Sequence, residues 1–587
     1  MAVDETLESQ VREWVAIDPD PVTRSQAQEW LDGALAGNEQ DELRLRNAFA
    51  GRLAFGTAGL RAELGAGPAR MNRVVVSQTS AGFAAFLLQR AAAGVTSSPP
   101  SVVIGYDGRI NSDVFARDAA EIMAGAGLRV VLLPEAMPTP VTAFAVRHLQ
   151  ASAGVMITAS HNPPRDNGYK VYLGDADAGS QIIPPTDAEI AAHIDTVAGL
   201  EYASLPRSSQ YRVAGPEIQD AYVEHVTQAV LAGLPRDPET PEQPLAGDTE
   251  LRIAYTALHG VGADVARRVF AGVGLPPVTA TPEQDRPDGD FPTVSFPNPE
   301  EPGALDLAIR TAQQINADLV VAHDPDADRL AIAAPDAQAE GGYRRLTGNQ
   351  LGLLLGWRAA ERARRAAEAE GVPLTGALAC TNVSSPALSA VAKHYGLDYV
   401  ETLSGFKWVS RVPNLIFGFE EAIGYLTHPD IVRDKDGILA SADAIAMARE
   451  CKAEDRTIWD LLDDASMRFG HFASTQVVAR LGGMAEAVQL AAWARANPPR
   501  SLGSVAVAQA RDLLTPGLSA VPANVLSYDL EDGSRVMIRP SGTEPKLKVY
   551  IDTFSDTGDL TTRRKNAEAA LGTLEAALRD YLAAATP

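Results

Sequence analysis

One unit recurs three times along this chain, and it restricts the fold more than any other feature. Val102–Tyr106 reads as a strand. Loop Asp107-Gly-Arg109 follows, then a helix over Ser112–Ala126, then Gly127-Leu128 and a strand over Arg129–Leu133. The pattern returns as strand Leu251–Tyr255, loop Thr256–Gly262, a helix from Ala263, then Gly274-Leu275. It returns again as strand Ala377–Cys380, loop Thr381–Ser385, helix Pro386–Tyr395, Gly396-Leu397 and strand Asp398–Glu401. The glycine after each helix suits a left-handed cap, and the following leucine packs back onto the helix. Units of this kind about 120–150 residues apart predict three related α/β domains rather than one large sheet.

The ends of the chain differ. Residues up to about Arg52 read as helices, with Trp14, Trp30 and Leu31 at helical intervals and Asp18-Pro-Asp-Pro21 as a break. Pro235–Pro244 and Pro282–Pro302 read as loops, the second running into a helix over Ala304–Ile315. After about Met467 the order becomes strand Phe472–Val478, a helical stretch, strands Val536–Ile538 and Leu547–Ile551 around a loop, and helix Arg563–Ala583. That is the order of an α+β domain.

Composition excludes several functions. The chain has 587 residues, 46% hydrophobic and 21% charged, ordinary values for a globular protein. Its 51 Lys and Arg against 75 Asp and Glu leave a net charge of −24, which argues against nucleic acid or an anionic membrane as partner. An anionic ligand then needs a local basic pocket. Cys380 and Cys451 make no disulfide framework or cysteine metal site. The most apolar long stretch, Val74–Val95, is interrupted by Gln78, Gln89 and Arg90 and reads as a buried helix. A cytoplasmic protein is the expectation, since Met1-Ala-Val-Asp-Glu-Thr lacks an apolar leader region.

Three stretches carry chemistry. Thr158-Ala-Ser-His-Asn-Pro163 follows the small apolar strand Ala153–Ile157, so Ser160 and His161 are expected on an exposed loop at a strand end, where α/β active sites lie. The nucleophile elbow of a serine hydrolase is missing, and Ser160 reads either as a phosphoryl acceptor or as a turn cap. In the second, an apolar strand ends in Asp324, Asp326 and Asp328, followed by Arg329. Three carboxylates on one loop suit Mg²⁺ together with a phosphate oxygen. An EF-hand is disfavoured, because the sixth loop position is Arg329 and the twelfth Pro335. An aspartate-nucleophile phosphatase and a solvated acidic turn are the other readings of this loop. In the third, Arg539, Ser541, Gly542, Thr543 and Lys548 surround a loop between two strands and make an oxyanion nest or an ordinary hairpin. Gly56–Arg61 and Leu403–Lys407 are weaker versions of this theme, the paired acids Glu420-Glu421 could accept from sugar hydroxyls, and Asp434-Lys435-Asp436 offers a lysine between two acids.

Taken together and in order, Phe55–Arg61, Thr158–Pro163, Asp324–Arg329, Gly418–Glu421 and Arg539–Thr543 resemble the motifs of the α-D-phosphohexomutases, the phosphoglucomutase/phosphomannomutase family. The likeness runs from about Arg52 to the end, and the N-terminal helices resemble those of its long phosphoglucomutase/phosphopentomutase branch. It implies three similar mixed-sheet α/β domains plus a smaller C-terminal α+β domain around one cleft. The boundaries expected are 1–50 for the helical extension, 51–212, 213–342 and 343–466 for the α/β domains, and 467–587 for the last. It also implies an intramolecular phosphotransferase interconverting sugar 1-phosphate and 6-phosphate, glucose first. Mannose or pentose phosphates and bisphosphate synthesis are alternatives, and a phosphatase and a sugar-phosphate sensor are rival classes.

Carried over, the resemblance makes Ser160 the phosphoserine and a metal ligand with Asp324, Asp326 and Asp328. Mg²⁺ is the implied metal and a sugar 1,6-bisphosphate the activator and intermediate. Arg329 steadies the moving phosphoryl group, and His161, Lys170 and Lys435 handle protons. Thr57, Arg61, Arg329, Ser404, Gly405, Lys407, Glu420, Ala422, Arg539, Ser541, Gly542, Thr543 and Lys548 contact the substrate. Two departures bear on the sugar: Ala422 stands where many hexose enzymes have a serine, and Lys548 where other branches use arginine, which loses bidentate geometry. A phosphorylated sugar is the expected partner, with no nucleic acid and no membrane, in a monomer or homodimer.

Overall fold

The computed structural model describes residues 4–57, 59–234, 251–519, 521–540 and 546–585. The expected loop at Pro235–Pro244 lies outside them. The chain divides into two units, Met1–Leu346 with Gly424–Arg449, and Thr347–Ile423 with Glu450–Pro587.

The first unit opens with helices α1 (Glu5–Ile17), α2 (Pro21–Leu35) and α3 (Glu39–Ala48). Asp4, Asp20 and Asn38 cap them by accepting from backbone N–H groups of the first turns. At the break, buried Asp18 accepts from Trp14 Nε1 at 3.1 Å and Thr23 Oγ1 at 2.7 Å. Val11, Trp14, Ala27, Leu31 and Leu45 share one core with Leu60, Val74 and Phe83. The extension thus has its apolar face covered by the first α/β layer rather than a core of its own.

That layer contains β1 (Leu60–Glu63), α4 (Arg73–Ala92), β2 (Ser101–Tyr106), α5 (Ser112–Gly125), β3 (Arg129–Leu132), α6 (Thr139–His148), β4 (Ala153–Ile157), β5 (Asp166–Leu173), β6 (Ser180–Gln181), α7 (Thr186–Ala198) and β7 (Arg212–Val213). The sheet runs β1-β5-β4-β2-β3-β7, with β6 on β5. Strands β4, β2, β3 and β7 are mutually parallel, whereas β5 turns back antiparallel on β4. Every residue of α4 from Val74 to Ala84 is buried, as expected over the start of Val74–Val95, but the helix ends at Ala92 and is half-buried or exposed from Leu88 onward. Val213 pairs into this sheet through β7, so the sheet extends one residue past the expected boundary at 212.

A second sheet repeats the plan with α8 (Glu217–Gly233), β8 (Ile253–Thr256), α9 (Ala263–Val273), β9 (Val278–Ala280), α10 (Asp306–Ile315), β10 (Leu319–His323), β11 (Leu330–Pro335) and β12 (Tyr343–Arg345). Its order is β12-β11-β10-β8-β9, with β8 parallel to β9 and β10. Again the strand after the acidic loop, β11, reverses onto β10. It also overruns its expected boundary, since β12 reaches past 342. Both chemical loops therefore link a buried parallel strand to an antiparallel one.

In the second unit, strand Ala377–Thr381 lies parallel to Asp398–Thr402 and Leu415–Glu420. A further sheet, with antiparallel neighbours throughout, is built from His471–Arg480, Lys546–Ser555, Arg535–Pro540, Leu526–Leu530, Val505–Asp512 and Ser501–Leu502, in that order. Helices Met484–Ala496 and Leu560–Ala583 pack against it around Leu526, Val536, Val549 and Leu578. This is the α+β order expected after Met467. All three exit glycines, Gly127, Gly274 and Gly396, take positive φ as the caps require. Among the described residues, no helix is long and apolar enough to cross a membrane.

Candidate active site

In the first unit, β4 leads into the serine loop and β10 into the aspartate loop. Where the sequence suggested an exposed loop, Ser160 itself is buried, retaining only 3% of its accessible surface, while His161, Asn162, Pro163 and Pro164 are half-buried and Arg165 is exposed. Its backbone is left-handed at φ 54°, and its N–H donates to Thr158 Oγ1 at 2.8 Å. Ser160 Oγ lies 3.2 Å from His161 Nδ1 and donates to Asp324 Oδ2 at 3.1 Å. The acidic partner absent from the local sequence is thus supplied by the aspartate loop.

Asp324, Asp326 and Asp328 are fully buried, and their carboxylate oxygens lie within 4.8 Å of one another. Thr139, at the start of α6, binds Asp326 twice: its N–H reaches the carbonyl at 2.9 Å and its Oγ1 reaches Oδ2 at 2.6 Å. Lys170 Nζ, from β5, bridges Asp326 Oδ2 at 2.7 Å and Asp328 Oδ2 at 2.9 Å. Lys435 Nζ is 3.2 Å from Asp328 Oδ2. The second oxygens, Asp326 Oδ1 and Asp328 Oδ1, are buried and accept no hydrogen bond among the described residues. Buried carboxylate oxygens left unpaired are costly, and a hard dication is the group this oxygen set suits.

Electrostatics divides the triad. Burial, then Asp326 and Asp328, push Asp324 well above the usual carboxylate range. At Asp328 burial acts the same way but is outweighed by Lys170, Lys435 and Arg329, which hold it below that range. For Lys170, the loss of hydration on burial is overcome by Asp326 and Asp328, so the ammonium is favoured. Burial, reinforced by the Arg329 and Arg61 charges, holds His161 well below its ordinary value, so its ring is neutral at pH 7. Phe296 packs edge-on to that ring at 5.9 Å.

Segment Asp434-Lys435-Asp436 is pinned from the first layer. Tyr172 Oη and Gln181 Nε2 donate to Asp434, and Tyr222 Oη donates to Asp436. Asp436 then caps helix Gly437–Ala453 by accepting from Leu439 N–H at 2.9 Å. A Cβ at Gly437 would stand 2.3 Å from the Arg329 carbonyl, so only glycine lets this helix start against the aspartate loop. Arg61 Nη1 donates to Asn162 Oδ1 at 3.0 Å, while Thr57 is half-buried in the turn closed by Gly56 and Gly59.

The second unit gathers the remaining described residues. Strand Leu415–Glu420 ends at Glu420, and Glu420, Glu421 and Ala422 are half-buried. Glu421 is held by Thr381 Oγ1 and Ser384 Oγ, each at 3.2 Å. Arg539 and Lys548 are direct partners across the antiparallel pair. Two cations facing each other repel, a cost that an anion between them would remove. Among the described residues Ser404 Oγ is buried without a hydrogen-bond partner, and Gly405 at φ 111° opens the short helix where Lys407 sits 5.9 Å from the Trp408 ring. Ser541, Gly542 and Thr543 lie outside the described residues.

Sequence reasoning missed Asp107, Arg109, Thr139, Thr381 and Ser384, which hold site residues in place. Asp107-Gly-Arg109 was visible as a strand-end loop, but nothing local tied it to the serine.

Models of the phosphoglucomutase/phosphomannomutase family match in sequence along the chain: α/β/α domain I over 52–200, domain II over 220–338, domain III over 347–468 and the C-terminal domain over 499–569. A probable phosphomannomutase of Haemophilus influenzae is 47% identical over 482 residues, covering 82% of this chain and 93% of the relative. The chain belongs to this family. It is an enzyme, an intramolecular phosphotransferase acting on phosphosugars. The N-terminal helices precede the matched ranges. A phosphopentomutase of Mus musculus is 32% identical and covers 98% of this chain and 95% of its own length. A phosphoglucomutase of Staphylococcus epidermidis is 33% identical over 88% of this chain and 93% of its own. A crystal structure of a family member from Burkholderia thailandensis shares the fold, with TM-score 0.67 at 19% identity over 92% of this chain and 98% of that one.

Proposed function

We propose that this mutase interconverts the 1-phosphate and 6-phosphate of a hexose, glucose first, with Ser160 as the phosphoryl carrier. The supporting observation is Ser160 Oγ at 3.1 Å from Asp324, beside two buried carboxylate oxygens that accept nothing among the described residues. In this reading Asp324, Asp326 and Asp328, with the phosphate on Ser160, hold Mg²⁺. Bound there, the ion neutralises charge on the phosphoryl group in transfer.

The chain's own residues do the rest. The bond from Ser160 Oγ to phosphorus breaks as a sugar hydroxyl oxygen bonds to phosphorus; the hydroxyl's proton passes by way of His161 to the leaving Ser160 Oγ, giving a sugar bisphosphate and a free serine. The other phosphoryl group then returns to Ser160. His161, neutral and 3.2 Å from Oγ, accepts the proton from Ser160 as that second transfer begins, once the hydroxyl turns from Asp324 Oδ2 to the imidazole Nδ1. Lys170 stays charged and fixes the positions of Asp326 and Asp328. Arg329 and Arg61 supply positive charge, and Lys435 steadies Asp328. Arg539, Ser541, Gly542, Thr543 and Lys548 bind the phosphate that is not reacting. Glu420, Ala422, Ser404, Gly405, Lys407 and Thr57 face the sugar. The domain division stated above, with its boundaries at 212 and 342 moved past Val213 and Arg345, is the proposed one, and the cytoplasm the proposed compartment.

A second reading, a pentose phosphate, is favoured by Ala422 and by the near-full-length phosphopentomutase relative. Turnover of glucose, mannose and ribose 1-phosphates with Mg²⁺ and a catalytic sugar 1,6-bisphosphate decides between them. The highest kcat/KM for glucose 1-phosphate is the expected result; a tenfold preference for the pentose would replace it. Release of inorganic phosphate without isomerisation would reject the mutase reading.

A further inference from the structure

We infer that Arg109 is a positioning residue for the phosphoryl-carrying serine, its four terminal N–H groups spent on shaping the serine loop. Its catalytic consequence rests on Ser160 being the carrier. Arg109 comes from the loop after β2, more than fifty residues before Ser160, and is 4% exposed. Nη1 donates to the carbonyls of Pro163 at 2.9 Å and Asp166 at 3.0 Å. Nη2 donates to the carbonyls of Ser160 at 2.6 Å and Asn162 at 2.7 Å. Each of the four terminal N–H groups is thereby committed to a different carbonyl of one short segment. The remaining Nε faces Asp107 Oδ2 at 3.4 Å.

This pattern has a physical reason. The loop reverses direction over Asn162-Pro163-Pro164, and the two prolines bring carbonyls but no N–H groups. Carbonyls turned inward and away from water need donors, and one planar guanidinium supplies four in a fixed plane. Asp107 is held by Ser112 Oγ at 2.7 Å and Thr158 Oγ1 at 2.6 Å, and Thr158 in turn holds the Ser160 N–H. Phe291 covers the guanidinium at 4.9 Å from its ring centroid. Ser160 sits in a left-handed conformation that a non-glycine residue adopts only under constraint, and Arg109 binds its carbonyl directly. With no terminal N–H left over, Arg109 has none to offer a substrate phosphate.

The consequence is measurable in Arg109→Ala and Arg109→Lys. Lysine keeps the charge but cannot reach four coplanar acceptors. Arg109→Ala should lower kcat about 10²-fold, the scale of an ångström-level misplacement, and Arg109→Lys about tenfold. KM for the sugar 1-phosphate and 6-phosphate should stay within about threefold, since substrate contacts are untouched. Amide hydrogen exchange should rise at least about tenfold in 159–166, with β2 and β4 unchanged. Should the alanine variant fail to fold, the lysine variant carries the test. Unchanged exchange in 159–166, a raised KM with kcat intact, or faster exchange across the whole first sheet in the lysine variant would overturn the inference. A wild-type enzyme that never carries phosphate on Ser160 would overturn the carrier reading instead, and the exchange result would still judge Arg109.

Discussion

At the scale of single residues, the strained serine and the buried acids do different work. A left-handed non-glycine residue costs about 1–2 kcal/mol, and Ser160 is held at φ 54° by hydrogen bonds to Thr158 and Arg109. Ser160→Ala should reduce turnover by more than ~10³-fold, because the covalent acceptor is gone. Intact mass should show one phosphate on part of the wild-type protein and none on the variant; near-wild-type rates in the variant would end the assignment. Asp436 allows a test by pH. Burial raises its carboxyl to about 7, despite hydrogen bonds from Leu439 and Tyr222. Below pH ~4 this carboxyl is protonated in folded and unfolded chains alike, and it costs nothing. Between there and about 7 only the unfolded chain gives up the proton, so the group's contribution to stability is lost across that window. Asp436→Asn keeps the acceptor and removes the titration. Its Tm advantage over wild type should grow by about 2 °C or more between pH 4 and 7. A constant difference across that range would contradict the raised value.

At the scale of elements, both chemical loops of the first unit join a parallel strand to one that turns back on it. This fixes each loop at both ends by sheet hydrogen bonds and leaves its middle to be shaped by side chains from elsewhere. The hairpin carrying Arg539 and Lys548 follows another logic. There the antiparallel register sets two cations side by side. If they hold the non-reacting phosphate, Arg539→Ala should raise KM for sugar 1-phosphate and 6-phosphate alike, by about tenfold or more, since a charge-assisted contact is worth ~1.5–3 kcal/mol. It should lower kcat as well, because remote phosphate binding orients the reacting centre. Phosphate on Ser160 should persist. KM values unchanged for both substrates would remove this role.

At the scale of the molecule, a net charge of −24 repels anionic substrates, so recognition rests on local clusters of cations. The aspartate loop meets the same constraint from the other side. Its three carboxylates face Lys170, Lys435 and Arg329 at ion-pair distance. Removing a metal therefore leaves the loop compensated rather than bare. Thorough chelation should abolish turnover by at least about 10²-fold while lowering Tm by less than about 5 °C. Activity that survives chelation would remove the metal from the mechanism. A collapse of Tm would show that these cations do not carry the balance.

The repeated α/β units, their glycine exits, the α+β ending and the stretches that carry Ser160 and the aspartates are legible in the amino-acid order alone. All of these are local: periodicity, cap chemistry and a run of acids are written within a dozen residues. Tertiary structure decided the rest. It buried a serine that looked exposed and gave it Asp324 as partner. It placed Lys170 between two aspartates more than 150 residues away, and it brought Thr139 and Arg109 to loops they never adjoin in sequence. No local pattern encodes those pairings. They follow from which strands lie side by side in a sheet, and that choice belongs to packing of the whole chain.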